Sequence, residues 1–114
     1  MNYNNDFKYD LKIGQVKEKE LGDILNNKTI EVKYDLKALI TKNVYVEYHS
    51  RGKLSGLSIS EADFYCFCFG DTYHLIETII LKKRCRKYIG TDRDKRGGDN
   101  NTSKGILLPI SELF

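Results

Sequence analysis

At residues 64–69 the chain reads FYCFCF, an uninterrupted run of aromatic and apolar side chains. Successive side chains of a strand point to opposite faces, so a run that is apolar on both faces predicts a strand at the centre of a sheet. Gly70-Asp71 then predicts a turn, and Tyr73–Ile80 a second strand. The fold is therefore expected to form around this central strand.

Two further predicted strands precede the central one. Thr29–Tyr34 and Asn43–His49 both alternate between apolar and polar residues, as half-buried strands do. Only the short segment 36–42 separates them. This spacing predicts that the two strands form an antiparallel pair.

Helical periodicity occurs twice. From Gly14 the apolar residues follow a helical period, and Asn26-Asn27 ends this N-terminal helix. Residues 1–9 are polar and Asn-rich, and we expect them to be flexible. Leu81–Tyr88 is expected to form a short basic helix.

The remaining segments complete a single predicted domain over residues 1–114. Arg51–Ser60 and Thr91–Ser103 contain glycines and polar residues, which favours loops. Ile106–Ile110 predicts a last short strand, with Pro109 at its edge. The predicted order, α-β-β-β-β-α-β, is typical of an α/β or α+β domain with a mixed sheet.

Composition indicates a globular chain. Hydrophobic residues make up 40 % of the 114 positions and charged residues 31 %, a balance that supports a core without disulfides. No apolar run approaches the roughly 18 residues of a membrane span, so we expect a cytoplasmic protein without a membrane partner. Cys66, Cys68 and Cys85 are expected to be reduced, buried or half-buried thiols rather than metal ligands.

The net charge of +3 is unevenly distributed. Basic residues are concentrated in the C-terminal third: Lys82, Lys83, Arg84, Arg86, Lys87, Arg93, Lys95, Arg96 and Lys104. A one-sided basic region suits a polyanion such as nucleic acid, although such charges also serve as an ordinary solvated surface.

Charged residues share one face of the first predicted strand: Glu31, Lys33 and Asp35. If the proposed hairpin is centred near Leu39, Glu31 lies directly opposite Glu47. Facing carboxylates repel each other unless a cation lies between them. Lys33 can provide that charge, and so can a divalent metal such as Mg²⁺, which prefers oxygen ligands.

This combination matches the needs of phosphodiester hydrolysis, which uses a metal, an activated water and a cation beside the reacting oxygens. Glu31 and Glu47 can hold the metal, and Lys33 can orient the water or stabilise charge. In the following loop, Arg51, Lys53 and Ser55 can hold phosphate oxygens. His49, expected on the same face as Glu47, is a further candidate phosphate contact or auxiliary base, although an ordinary surface histidine is the stronger interpretation.

A family resemblance extends this hypothesis. Residues 29–33, TIEVK, resemble the ExK half of the PD-(D/E)xK nuclease signature. Residues 14–18, GQVKE, resemble the N-terminal helix of archaeal-type Holliday junction resolvases, which implies that Glu18 joins the metal site. A wider set of segments resembles small phage-encoded endonucleases of this superfamily: Glu31–Tyr48, Arg51–Gly56, Ala62-Asp63, Gly97–Asp99 and Leu107–Ile110.

The resemblance implies a restriction-endonuclease-like mixed central sheet with an N-terminal helix. It also implies a Mg²⁺- or Mn²⁺-dependent DNA endonuclease, possible resolvase-like selectivity, a homodimer, and the host cytoplasm as the location of a phage-encoded protein. The alternative is a non-catalytic nucleic-acid- or protein-binding module on a nuclease-like fold.

One part of the family signature is missing. No Pro-Asp pair precedes Glu31, and Asp10 and Asp23 belong to the region of the predicted helix rather than to a neighbouring strand. We therefore place the missing carboxylate at Glu47, with Asp35 as the alternative. Asp63 matches the family pattern but receives no role.

Overall fold

The structure is a computed structural model that describes residues 3–114. The described helices are α1 (Tyr3–Leu25), α2 (Ala38–Thr41) and α3 (Thr78–Arg86). The described strands are β1 (Ile30–Tyr34), β2 (Asn43–Ser50), β3 (Lys53–Leu54), β4 (Phe64–Phe69), β5 (Thr72–Glu77), β6 (Asp94–Gly97) and β7 (Ser103–Pro109). Short 3-10 helices cover Gly56–Ser58, Asp99–Asn101 and Ile110–Leu113.

The strands form two sheets. Sheet A has the order β1-β4-β5, with β1 parallel and β5 antiparallel to β4. Sheet B is antiparallel, with the order β3-β2-β7-β6. The predictions of a mixed α and β fold, a mixed sheet and a central strand at 64–69 are confirmed. The strands are divided between two sheets, whereas we expected one central sheet.

The predicted hairpin between the first two strands is wrong. β1 pairs with β4, which places Glu31 opposite Tyr65, whereas β2 pairs with β7, which places Glu47 opposite Gly105. The segment between β1 and β2 contains α2 instead of a tight turn. Asp35 stabilises this change of direction, because its carboxylate accepts the N–H groups of Lys37 at 3.0 Å and Tyr45 at 3.4 Å.

The core lies between the inner faces of the two sheets and α3. Fully buried side chains come from all three: Tyr65, Phe67, Val44, Ile106, Leu108 and Leu81. This packing explains why β2 pairs with β7. Val44 and Val46 are buried beside the apolar side chains of β7, whereas pairing with β1 would place them beside the exposed Val32.

Other segments differ from the sequence predictions in extent. α1 begins at Tyr3, well before the helix start predicted near Gly14, and residues 1–2 lie outside the described part of the chain. The predicted loop at 91–103 contains β6, and the loop at 51–60 contains β3. β5 ends at Glu77 and α3 begins at Thr78, so the second predicted strand is shorter than expected. β7 begins at Ser103, earlier than predicted, and Pro109 is its last residue.

Two features concern the chemical environment of the chain. All three cysteines are free; Cys66 is half-buried and the other two are buried, as predicted. No helix within residues 3–114 is long and apolar enough to cross a membrane.

Candidate functional site

A cleft between the two sheets contains the central residues of the predicted site. It is a cavity of about 320 Å³ with Lys33 on the side of sheet A and Glu47 on the side of sheet B. Its other lining side chains include Tyr45, Tyr65, Phe67 and Ser103. Glu31 lines an adjoining cavity of about 540 Å³, and Gly56 borders both. Lys33 and Glu47 therefore line one cavity and Glu31 the adjoining one, although no hairpin joins β1 and β2.

Glu31 is held in place by two side chains. Its Oε1 lies 3.1 Å from Nζ of Lys33, and its Oε2 accepts a hydrogen bond from the Ser60 hydroxyl at 3.1 Å. Burial raises the pKa of Glu31, but the interactions with Lys33, Tyr65 and Ser60 together lower it by more. The net pKa therefore lies below the ordinary value of 4.5. Glu31 is therefore ionised at neutral pH, and its two contacts fix the carboxylate beside the cavity that it lines.

Replacing Lys33 with Met is expected to raise the pKa of Glu31, because burial then acts against a weaker set of stabilising contacts. A carboxyl NMR titration measures this pKa directly. A depressed folded-state pKa stabilises the protein above the unfolded pKa, and this contribution is lost as pH falls through the folded pKa. Lys33→Met should therefore lose less stability than wild type on acidification below about pH 4.5.

Lys53→Met is the matched control, because this exposed lysine lies on the β2–β3 hairpin and makes no contact with Glu31 that would affect its titration. An unchanged Glu31 pKa in Lys33→Met would contradict the role assigned to the ion pair.

The Tyr65 hydroxyl is a buried polar group beside Glu31 and Ser60. Its interaction with Glu31 lowers the pKa of that carboxyl, yet it completes no hydrogen bond of good geometry with another described residue. Burial raises the pKa of Tyr65 above its ordinary value, so the hydroxyl stays protonated. Because its hydrogen bonding is incomplete, the hydroxyl can still donate to an incoming oxygen ligand.

Glu47 is positioned by its own contacts. Its Oε2 accepts a hydrogen bond from the Ser55 hydroxyl at 3.0 Å, and Gly56 packs against its backbone. The glycine is required because a Cβ at position 56 would lie 2.3 Å from the Glu47 carbonyl oxygen. Ser55 therefore orients Glu47, which is a different role from the phosphate contact predicted for it.

The predicted side-chain orientation of His49 is wrong. An irregularity in the pairing of β2 with β7 lies between Glu47 and His49, so that Glu47 pairs with Gly105 and His49 with Lys104. Adjacent residues of β7 point to opposite faces of sheet B. His49 therefore lies on the face opposite Glu47, because the bulge at Tyr48 reverses the alternation.

The structure does not bring the other predicted carboxylates to the cleft. Glu18 is exposed on α1, and both oxygens of Asp35 accept backbone N–H groups. Asp63 accepts hydrogen bonds from the Thr29 N–H and hydroxyl, which joins the starts of β1 and β4. Asp10 is exposed and Asp23 forms an ion pair with Lys19, so both remain on the surface of α1.

Basic residues near the cleft form a smaller set than the sequence suggested. Arg51 borders a cavity of about 340 Å³ together with Glu47, and Lys95 shares the face of Glu47 because both pair with Gly105. Lys53 is exposed at the end of the same hairpin as Arg51. Other basic side chains are used internally: Arg84 and Lys87 bind the C-terminal segment, and Arg93 binds Asn43 and the Leu107 carbonyl.

A second basic surface lies on the opposite face of sheet B. Arg96, Lys104 and His49 occupy neighbouring positions on β6, β7 and β2. Like charges directly opposite each other destabilise a strand pair. No salt bridge contact includes Arg96 or Lys104 in the described part of the chain, although the charge of Lys104 helps to lower the pKa of Asp94. The oxygens of nearby Asp94 already accept hydrogen bonds from Tyr48 and Gly90.

The residues present can be tested against a divalent metal. Among residues 3–114, no three His, Cys, Asp or Glu side chains come together as a metal-binding group. Mg²⁺, however, is usually held by one or two carboxylates together with substrate phosphates and water. Glu31 and Glu47 could each supply one carboxylate of that smaller contribution, since they line adjoining cavities that share Gly56.

Comparisons with known proteins assign no family to this chain. No protein-family model matches the chain, and neither a curated protein nor a solved structure does.

Proposed function

We propose that this protein is a metal-dependent DNA endonuclease with a restriction-endonuclease-like site. The observation that carries the proposal is the ion pair of Glu31 and Lys33 beside a cleft whose other side presents Glu47. The ExK spacing on β1 and the incompletely hydrogen-bonded hydroxyl of Tyr65 support it further. The expected substrate is a phosphodiester of DNA.

Each residue of the cleft has a chemical role in this proposal. Glu31 and Glu47 would hold Mg²⁺ or Mn²⁺, which would supply charge neutralisation for the phosphate and activation of the attacking water. Lys33 donates to the attacking water or to a phosphate oxygen, and Ser60 fixes the Glu31 carboxylate. The Tyr65 hydroxyl donates to an oxygen of the phosphate.

A DNA strand in the cleft would pass Arg51 and Lys95, the basic residues on the Glu47 side of sheet B. The double variant Arg51→Ala/Lys95→Ala is therefore expected to weaken DNA binding and to reduce the salt dependence of log K by about one per lost phosphate contact. Fluorescence anisotropy with a labelled duplex at several salt concentrations measures both quantities. The variant makes fewer phosphate contacts, and binding therefore releases fewer condensed counterions from the DNA.

The matched control is Arg96→Ala/Lys104→Ala. It also removes two basic residues, one from β6 and one from β7, but both lie on the face of sheet B opposite Glu47. Binding that weakens only in this control would contradict a DNA path through the cleft.

A homodimer follows from the resolvase-like part of the proposal. Cutting two strands of a branched junction symmetrically requires two sites related by a two-fold axis. A Holliday junction is therefore the first substrate to test, ahead of a plain duplex.

The second basic surface supports the alternative function, a non-catalytic binding module. Arg96, Lys104 and His49 can bind a polyanion without any contribution from Glu31. Calorimetry separates the two functions. The nuclease proposal predicts a saturable heat of Mn²⁺ binding that disappears in Glu31→Gln/Glu47→Gln, whereas no Mn²⁺ or Mg²⁺ binding by wild type would favour the module.

A further inference from the structure

The outer face of sheet A is mostly apolar and is exposed along its two edge strands, whereas Phe64 and Cys68 of β4 are buried on this face and Glu77 lies at its end. Residues that pair across its three strands share this face, which includes Ile30, Val32 and Tyr34 of β1 and Tyr73 and Leu75 of β5. These side chains are 39–77 % exposed. The half-buried Cys66 of β4 lies between them. Since an uncovered sheet face is normally polar, this surface has the composition of an interface.

Helix α1 presents a second uncovered apolar surface. One broad face of the helix carries four large apolar side chains that are 44–56 % exposed: Ile13, Val16, Leu21 and Ile24. The ion pair of Lys17 and Glu20 lies within this face, and the exposed Leu11 lies on another. Gly14 and Gly22 lie inside the helix with open space around their Cα atoms, and each weakens it by about 0.5–1 kcal/mol relative to alanine. Helices in proteins gain most of their stability from packing an amphipathic face, so α1 requires a partner surface.

The shape of the chain shows that α1 projects as an arm. The principal extents are 63 × 31 × 23 Å, and the radius of gyration is 18.2 Å. A compact domain of this length has a radius of gyration of about 13 Å. The excess comes from α1, which is exposed at every described side chain from Asp10 to Ile24.

We propose that two copies of this chain exchange their arms, with α1 of each copy covering the outer face of sheet A in the other. A second copy is the favoured occupant because the chain supplies both surfaces and α1 extends away from its own sheet. Reciprocal exchange buries both surfaces in one closed, two-fold symmetric dimer. The polar face of α1, which carries the ion pair of Lys19 and Asp23, stays in solvent.

The exposed area is sufficient for a stable dimer. The apolar side chains of α1 and of the outer face together expose on the order of 1,000 Å² in each copy, and a stable interface buries about 800 Å² per partner. This inference does not depend on nuclease activity, since it rests on the two apolar surfaces alone.

Light scattering coupled to size-exclusion chromatography tests the exchange without DNA or metal. Wild type is expected at about 26 kDa, twice the chain mass of 13.2 kDa. Val32→Lys on the sheet and Leu21→Lys on the helix should each give a monomer. The matched control Ile40→Lys should remain dimeric, because Ile40 is 85 % exposed and lies on neither surface.

Maleimide labelling of Cys66 provides a second readout. The thiol should react slowly in wild type, where the partner's α1 covers it, and several-fold faster in both monomeric variants. Circular dichroism checks that each variant is folded. Tyr34→Lys and Ile24→Lys replace either variant that does not fold, because they place the same charge on the same two surfaces.

Three results would overturn the proposal. A monomeric wild type with a protected Cys66 would show that α1 covers its own sheet. A monomeric wild type with a reactive Cys66 would show that the face stays open. A dimer that survives either lysine substitution would show that the copies meet through another surface.

Discussion

Glu31→Gln is expected to reduce metal-dependent DNA cleavage by about 10³-fold, since removing one electrostatic contact from a preorganised site costs about 10²–10³ in rate. The substitution keeps the size of the side chain and removes its charge. It also leaves Lys33 without the carboxylate that lies 3.1 Å from its Nζ. The rate of product formation under single-turnover conditions measures the effect.

Lys33→Ala should cause a loss of similar size, because it removes the only lysine that contacts Glu31 among the described residues. Glu77→Gln is the control, since this exposed glutamate lies at the end of β5 and does not line the cleft. Full activity in either Glu31→Gln or Lys33→Ala would refute the assignment of the site.

Gly56→Ala is expected to lower the free energy of unfolding by about 2–5 kcal/mol, because alanine disfavours the left-handed backbone conformation of this position and its Cβ would clash. Gly56 has φ +50°, and an added Cβ would lie 2.3 Å from the carbonyl oxygen of Glu47. The backbone of β2 must shift to relieve this contact. Urea denaturation followed by circular dichroism measures the loss.

Gly52→Ala separates the two causes. Gly52 also has a positive φ, +79°, but a Cβ there would meet open space. This variant should lose only the about 1–2 kcal/mol of the left-handed conformation. Equal losses in both variants would show that Gly56 does not pack against Glu47 as described.

The local patterns of the sequence predicted individual elements well. The FYCFCF run predicted the central strand of sheet A because a strand flanked by two others buries most of its side chains, and five of the six are buried here. The alternation at 43–49 likewise predicted β2. Both predictions depend on neighbouring residues alone.

Strand pairing could not be predicted in the same way. The short distance between β1 and β2 suggested a hairpin, yet their partners, β4 and β7, lie far along the chain. The register of β2 also contains a bulge at Tyr48, which turns His49 away from Glu47. No local pattern signals a bulge of this kind, because its position depends on the partner strand.

The candidate site likewise contains residues that the local sequence pattern predicted and residues that it did not. Glu31, Lys33 and Glu47 were identified because charged residues on regular strands stand out in the sequence. Ser60 and Tyr65 were missed, since Ser60 contacts Glu31 from 29 residues away and Tyr65 resembles any other core residue of an apolar strand. Such contacts depend on the packing of sheet A, which sequence periodicity does not determine.

The most direct test of the proposed function is a cleavage assay with three DNA substrates. The purified protein is incubated with a Holliday junction, a duplex and a single strand, each with Mg²⁺, Mn²⁺ or EDTA. The proposal predicts cleavage of at least one substrate with Mg²⁺ or Mn²⁺ and none with EDTA. No cleavage of any substrate with either metal, by protein that binds DNA, would contradict it and favour the binding module.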